Sequence, residues 1–203
     1  MAKIFSALLG AGVLALTAGG ASAASMTFAN SVMKNPGGES ANVQCNTALR
    51  TDICNTLGED DGDFAGGVGN GFFSLKNAQS LTFDFGANFT GPIYVYEVTG
   101  GSVQNHQEAA VLQLVATDLL GENYTKTIFN TEGTKVSGTS SRYEIVFDSV
   151  GGPFQSILIQ DLSGTEDGFD LDAIAVSAVP IPAAGLMLLA GLGGLAAARR
   201  RKD

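Results

Sequence analysis

The sequence predicts an all-β fold, an antiparallel β-sandwich built from one central domain. Three observations predict it. Short apolar segments alternate with polar residues at period two. Glycine-rich turn signals separate them every ten to twenty residues or so, and no stretch between them carries a helical period. The composition agrees, with 27 Gly, no Trp and 15% charged residues in a chain of 203. About eight or nine strands make a jelly-roll-like arrangement the first expectation and an immunoglobulin-like sandwich the alternative.

The first segment, 1–23, reads as a secretory signal helix. Lys3 supplies the positive start, Ile4 to Ala18 the apolar stretch, and Ala21-Ser22-Ala23 a small-x-small cleavage site. Cleavage between Ala23 and Ala24 would leave Ala24 as the mature N-terminus.

The domain itself is expected over 24–178. Its clearest strand is Leu81 to Phe85, where Leu, Phe and Phe alternate with Thr and Asp. Ile93 to Val98, Val111 to Ala116, Thr125 to Phe129, Tyr143 to Phe147, Phe154 to Gln160 and Ala173 to Val179 follow. Met26 to Met33 and Phe72 to Leu75 are weaker candidates. Turns are expected at Gly86-Ala87-Asn88, Gly100-Gly101, Gly121-Glu122-Asn123, Gly133, Gly138 and Gly151-Gly152-Pro153. The segment Asn35 to Gly71 shows little strand pattern and has few apolar residues to hold it in place. No internal repeat is visible.

The last segment, 179–203, has three parts: Val179-Pro180-Ile181-Pro182-Ala183-Ala184, an apolar run from Ala183 to Ala198, and the cluster Arg199, Arg200, Arg201 and Lys202. Basic residues mark the cytoplasmic side of a span, so the run is expected as a transmembrane helix with the domain outside. Sixteen helical residues reach about 24 Å, short of a hydrocarbon core of about 30 Å. Four glycines, Gly185, Gly191, Gly193 and Gly194, weaken the helix further. The span suits a transient anchor.

This order of parts resembles the PEP-CTERM family of bacterial sorting tails, in its VPLPA-type branch, with Ile181 where that branch has Leu. The resemblance covers about residues 179–202. It implies an exosortase-type membrane protease as partner, processing at Val179, Pro180, Ile181, Pro182 and Ala183, and delivery to the cell surface, extracellular matrix or outer envelope.

Charge narrows the partners. The whole chain carries a net charge of −9. With Lys3, the four tail cations and Asp203 set aside, the middle carries about −13. Such a field repels phosphate backbones, so nucleic acid is not an expected partner. Cys45 and Cys54 are the two cysteines, and in an exported chain they read as a disulfide. Closing a loop of about ten residues is worth roughly 2–3 kcal/mol.

Two acidic stretches hold the remaining chemistry: Glu59-Asp60-Asp61-Gly62-Asp63 and Glu166-Asp167-Gly168-Phe169-Asp170-Leu171-Asp172. Calcium takes six to eight oxygens from such loops, and Asp60, Asp61, Asp63, Asp170 and Asp172 are its candidate ligands. Neither stretch has EF-hand spacing, and solvated turn charge is the competing reading. Asp60 or Asp63 with Asp170 would be the carboxylate pair of a glycosidase, but the chain lacks Trp platforms and has one His, so no catalytic residue is assigned. His106 lies in a polar loop without companion zinc ligands. Asn88-Phe89-Thr90 and Asn123-Tyr124-Thr125 read as turns rather than glycosylation acceptors. The expectation is an exported non-catalytic surface or matrix protein, in contact with exopolysaccharide in some settings. A calcium-dependent carbohydrate-binding module is the alternative, and a secreted glycoside hydrolase stands behind both.

Overall fold

The computed structural model describes residues 26–62, 71–117, 122–139, 141–163 and 168–178. The expected signal helix, the Ala23–Ala24 cleavage site, Asp63, the tail motif, the transmembrane helix and the basic cluster lie outside the described residues. Among the described residues no helix is long and apolar enough to cross a membrane. Residues Ala24–Val179 form one compact unit.

Among the described residues this unit holds eleven antiparallel strands: β1 (Met26–Phe28), β2 (Ser31–Asn35), β3 (Ser40–Ala41), β4 (Phe73–Ser74), β5 (Ser80–Val98), β6 (Ala109–Ala116), β7 (Tyr124–Phe129), β8 (Thr134–Lys135), β9 (Arg142–Asp148), β10 (Phe154–Asp161) and β11 (Asp170–Ala178). The architecture is all-β and antiparallel, as the alternation predicts. The single hydrogen-bonded network divides along β5. Its first half pairs with β2 and β10, and β10 continues to β6 and β7. Its second half pairs with β11 and β9, flanked by β1, β4 and β8.

This strand corrects the sequence reading. Leu81–Phe85 and Ile93–Val98 were expected as two strands with a turn at Gly86-Ala87-Asn88, yet they form one strand of 19 residues. Gly86 and Gly91, at φ +70° and +88°, sit at the bends. The ladder skips in these two short stretches, between Asp84 and Phe89 and between Phe89 and Pro92, and pairing resumes beyond each. The expected strand Met26–Met33 is conversely split into β1 and β2 at Ala29–Asn30, where the Asn30 N–H bonds to the Asp84 carbonyl. β1 goes to β11 and β2 to β5, so the break delivers two neighbours to different partners.

Inward residues from both halves share one core. Leu81 and Phe83 of β5, Leu112 and Leu114 of β6, and Ile157 and Ile159 of β10 meet Ile93 and Val95 of β5, Ile145 of β9, and Ile174 and Val176 of β11. Burial of such side chains, at about 1.5–3 kcal/mol each, is the main favourable term. The segment before β4 joins this core, against the expectation of few anchoring residues. Ile53 and Leu57, in and after a 3-10 turn at Ile53–Thr56, are 1% and 2% exposed. Buried Asn55 then organises the loop. Its Nδ2 donates to the carbonyls of Thr47, Leu49 and Phe72, and its Oδ1 accepts from the Thr47 N–H. The Cys45–Cys54 disulfide closes the same loop, with Cα atoms 5.2 Å apart.

Gly168 sits where β11 begins, packed on the chain after β4. A Cβ there would overlap the Leu75 carbonyl oxygen, in a place where the Leu75 N–H already bonds to the Phe169 carbonyl. Gly168→Ala must therefore push β11 off β4. A thermal or urea melt is expected to show a loss of about 3 kcal/mol, the upper end of the usual overpacking range, since backbone cannot yield as a side chain can. An unchanged midpoint would contradict the packing.

Candidate functional site

The acidic residues of interest lie on β11 and on the segments packed against it, and they form two separate groups. Asp170 and Asp172 were expected in a loop before the last strand. The structure places both inside β11, at 3% and 0% exposure, so neither is solvated turn charge. The strand is covered on both sides: Leu171, Ile174 and Val176 face the main core, and Ala173 and Ala175 pack with Tyr96 in a smaller one. Asp172 falls at a register shift, where Leu171 pairs with Glu97 and Ala173 with Tyr96, so it has no partner residue across the ladder.

The first group surrounds Asp170. Its carboxylate accepts from the Arg50 guanidinium and from the Ser74 hydroxyl, and its N–H donates to Glu108 Oε2 at 3.3 Å. Arg50 also lies over the Phe72 ring at 4.8 Å. Glu97, fully buried on β5, accepts from Thr99 Oγ1 at 2.7 Å on each of its oxygens. Asn130 ties in the loop after β5 by donating to Thr99 Oγ1 at 3.2 Å and to the His106 carbonyl at 2.6 Å. His106 thus contributes its backbone here and its ring remains at the surface. Burial pushes the Glu97 carboxyl up to about 8, and the Asp170 charge adds to this against the hydrogen bonds of Thr99, Asn130 and Glu108.

The second group surrounds Asp172. Its Oδ1 accepts from the Gly62 N–H at 2.9 Å, and its Oδ2 is buried with no hydrogen-bond partner among the described residues. Asp61 Oδ2 accepts from Gln44 Nε2 at 3.1 Å and Asn46 Nδ2 at 3.3 Å. Asp60 pairs with Arg142 Nε at 3.2 Å, and Arg142 Nη1 donates to the Gly62 carbonyl at 3.4 Å. Burial raises the Asp172 carboxyl to about 8, with Asp61 and Asp60 adding and the Gly62 N–H and Arg142 opposing. Burial likewise raises Asp61. Of the five sequence-chosen acids, then, Asp60, Asp61 and Asp172 come together, Asp170 belongs to the other group, and Asp63 lies outside the described residues. Sequence reasoning missed Glu97, Glu108, Arg50 and Arg142. For Glu97 a signal existed, a lone acid inside Ile93–Val98.

Two grooves lie elsewhere. One of about 600 Å³ runs over β2, β3, β5 and β10, lined by Ser31, Asn42, Thr82, Asp84, Gln155 and Ser156 among others. The other, of about 570 Å³, is lined by Thr117, Glu122, Asn123, Tyr124, Val150 and Pro153 among others. Asn123 Oδ1 accepts from the Ala116 N–H at 3.0 Å, which fixes one wall. Asn88 lies within β5 rather than in the expected turn.

No family model and no curated protein matches the chain. Among solved structures it is similar to a Streptococcus pneumoniae fucose binding module, at TM-score 0.42 and 14% identity over 72% of this chain and 90% of that one. It is also similar to the lectin domain of lectinolysin complexed with Lewis B antigen, at TM-score 0.42 and 12% identity over 67% and 93%. Similarity at this level says nothing about ligand.

The first group makes stability depend on pH. Glu97 holds its proton more tightly folded than unfolded, so its contribution is complete below its ordinary value of 4.5 and is lost as pH rises toward about 8. The melting temperature is expected to fall between pH 5 and pH 8.5, and Glu97→Gln is expected to flatten that fall. A midpoint that rises across this window would contradict the assignment.

Proposed function

We propose that the chain is an exported, non-catalytic β-sandwich protein of the cell surface or extracellular matrix, sorted through its C-terminal segment by an exosortase-type membrane protease. The observation that carries this reading is the Cys45–Cys54 disulfide, a bond of oxidising compartments, in a chain with a signal-peptide pattern and a tripartite tail. The disulfide supports export independently of either terminal pattern. The architecture supports a display module, and we read it as jelly-roll-like. Late strands interleave with early ones, β11 between β1 and β5 and β10 between β5 and β6. Terminal mass spectrometry of the surface fraction is expected to find a C-terminus between Val179 and Ala184. A surface protein that still ends at Asp203 would reject processing.

A second reading, a carbohydrate-binding module, is favoured by the groove at Tyr124. Tyr124 packs against the core and also lines the groove, whose other lining residues include Glu122 and Thr117. An aromatic face with adjacent hydrogen-bonding groups suits a sugar ring, whose CH face stacks while its hydroxyls are bound. On a glycan array, binding is expected to be lost in Tyr124→Ala and retained in Thr82→Ala of the other groove. Binding that is insensitive to Tyr124 would remove this site.

A further inference from the structure

The two carboxylate groups differ in one respect that points to a ligand. Around Asp170, the oxygens of Asp170 and Glu97 are met by Arg50, Ser74 and Thr99. Around Asp172, one buried carboxylate oxygen is met by nothing among the described residues. Leaving a buried carboxylate oxygen orphaned costs its full desolvation penalty, so a native structure supplies it with a partner.

We propose that a divalent cation, calcium by the hardness of its oxygen donors, binds between Asp61 and Asp172 with the Gly71 carbonyl as a third protein ligand. Each carboxylate is already oriented by donors on one oxygen. Gly62 N–H holds Asp172 Oδ1, while Gln44 and Asn46 hold Asp61 Oδ2. The Asp172 carboxylate, the Gly71 carbonyl and Asp61 Oδ1 all border the contact between Gly62 and Gly71. A Cβ at Gly62 would lie 2.8 Å from Asp172 Oδ1 and 3.0 Å from the Gly71 carbonyl oxygen. A Cβ at Gly71 would lie 3.1 Å from Asp61 Oδ1 and 3.0 Å from Gly62 Cα. Side chains at either position would fill this space, and Gly71 also needs glycine for its φ of +74°.

Charge points the same way. Asp60, Asp61 and Asp172 face a single guanidinium, Arg142, and that group is occupied by Asp60 and the Gly62 carbonyl. Metal binding displaces protons from its ligands, and the two ionised carboxylates of Asp61 and Asp172 are then balanced by one divalent ion. Calcium tolerates irregular geometry and takes six to eight oxygens, so two carboxylates and one carbonyl leave the rest to water. Magnesium, which demands regular octahedral geometry and keeps its water, fits this donor set less well. The bound ion would fasten Gly62 and Gly71 to β11. This site rests on neither the sorting reading nor the groove at Tyr124.

The test is calorimetric titration of calcium chloride into the full chain, purified in mild detergent and stripped with EDTA. One ion per chain is expected to bind, with a raised melting temperature and weaker binding of magnesium. Asp172→Asn and Asp61→Asn are each expected to weaken calcium by at least about tenfold, because each removes a charged ligand. Glu59→Gln, an exposed acid of the same segment, is expected to leave affinity unchanged. Asp172→Asn retains an oxygen for the Gly62 N–H, and its melt in EDTA reports whether it folds. If it does not, Asp61→Asn decides. No calcium binding by the natural chain, or undiminished binding in the folded variants, overturns the proposal.

Discussion

The structure depends on β5 serving two layers at once. One strand of 19 residues supplies β2 and β10 with partners along its first half and β9 and β11 along its second. Its alternating side chains therefore enter the core twice, as Leu81, Phe83 and Phe85 and then as Ile93 and Val95. A break in this strand would separate the halves rather than loosen a loop. The two left-handed glycines let it bend where the ladder skips and resume pairing beyond, a role no larger residue fills without strain.

That constraint also places the buried acids. Glu97 stands near the end of β5 and pairs in register with Leu171, which brings it beside Asp170. Arg50 and Ser74 then meet Asp170 from the segment around the disulfide and from β4. Hydrogen bonding makes this buried polarity tolerable, and it ties four stretches distant in sequence to one another. The cost is a domain whose charge balance is delicate, since Glu97 and Asp170 are each satisfied by a few named donors.

Much of the fold was legible in the sequence because its signal is periodic. Leu81-Thr82-Phe83-Asp84-Phe85 and Phe154 to Gln160 show the alternation that burial of one face imposes. The continuity of β5 was not legible, because Gly86-Ala87-Asn88 has the composition of a turn whether the chain reverses there or merely bends. The two-residue strands β3 and β8 are too short to have a period. At the site, proximity in sequence misled. Asp170 and Asp172 look like one acidic cluster, yet a bulge sends them to different partners. Arg50 and Arg142 could not be assigned to them, since separation along the chain exceeds what pattern can span.

The position of β11 has a consequence for how the domain comes into being. It is the last strand of the unit but an interior one, hydrogen-bonded to β1 and β4 on one side and β5 on the other. The earliest strand therefore waits for the latest, and the sandwich stays open along its middle until synthesis has passed Ala178. Contacts between such distant parts of a chain close slowly. A polypeptide stopped even ten or so residues early would present the edges of β1 and β5 unpaired, as templates for association with other chains. Completeness of the chain thus acts as a checkpoint built into the topology.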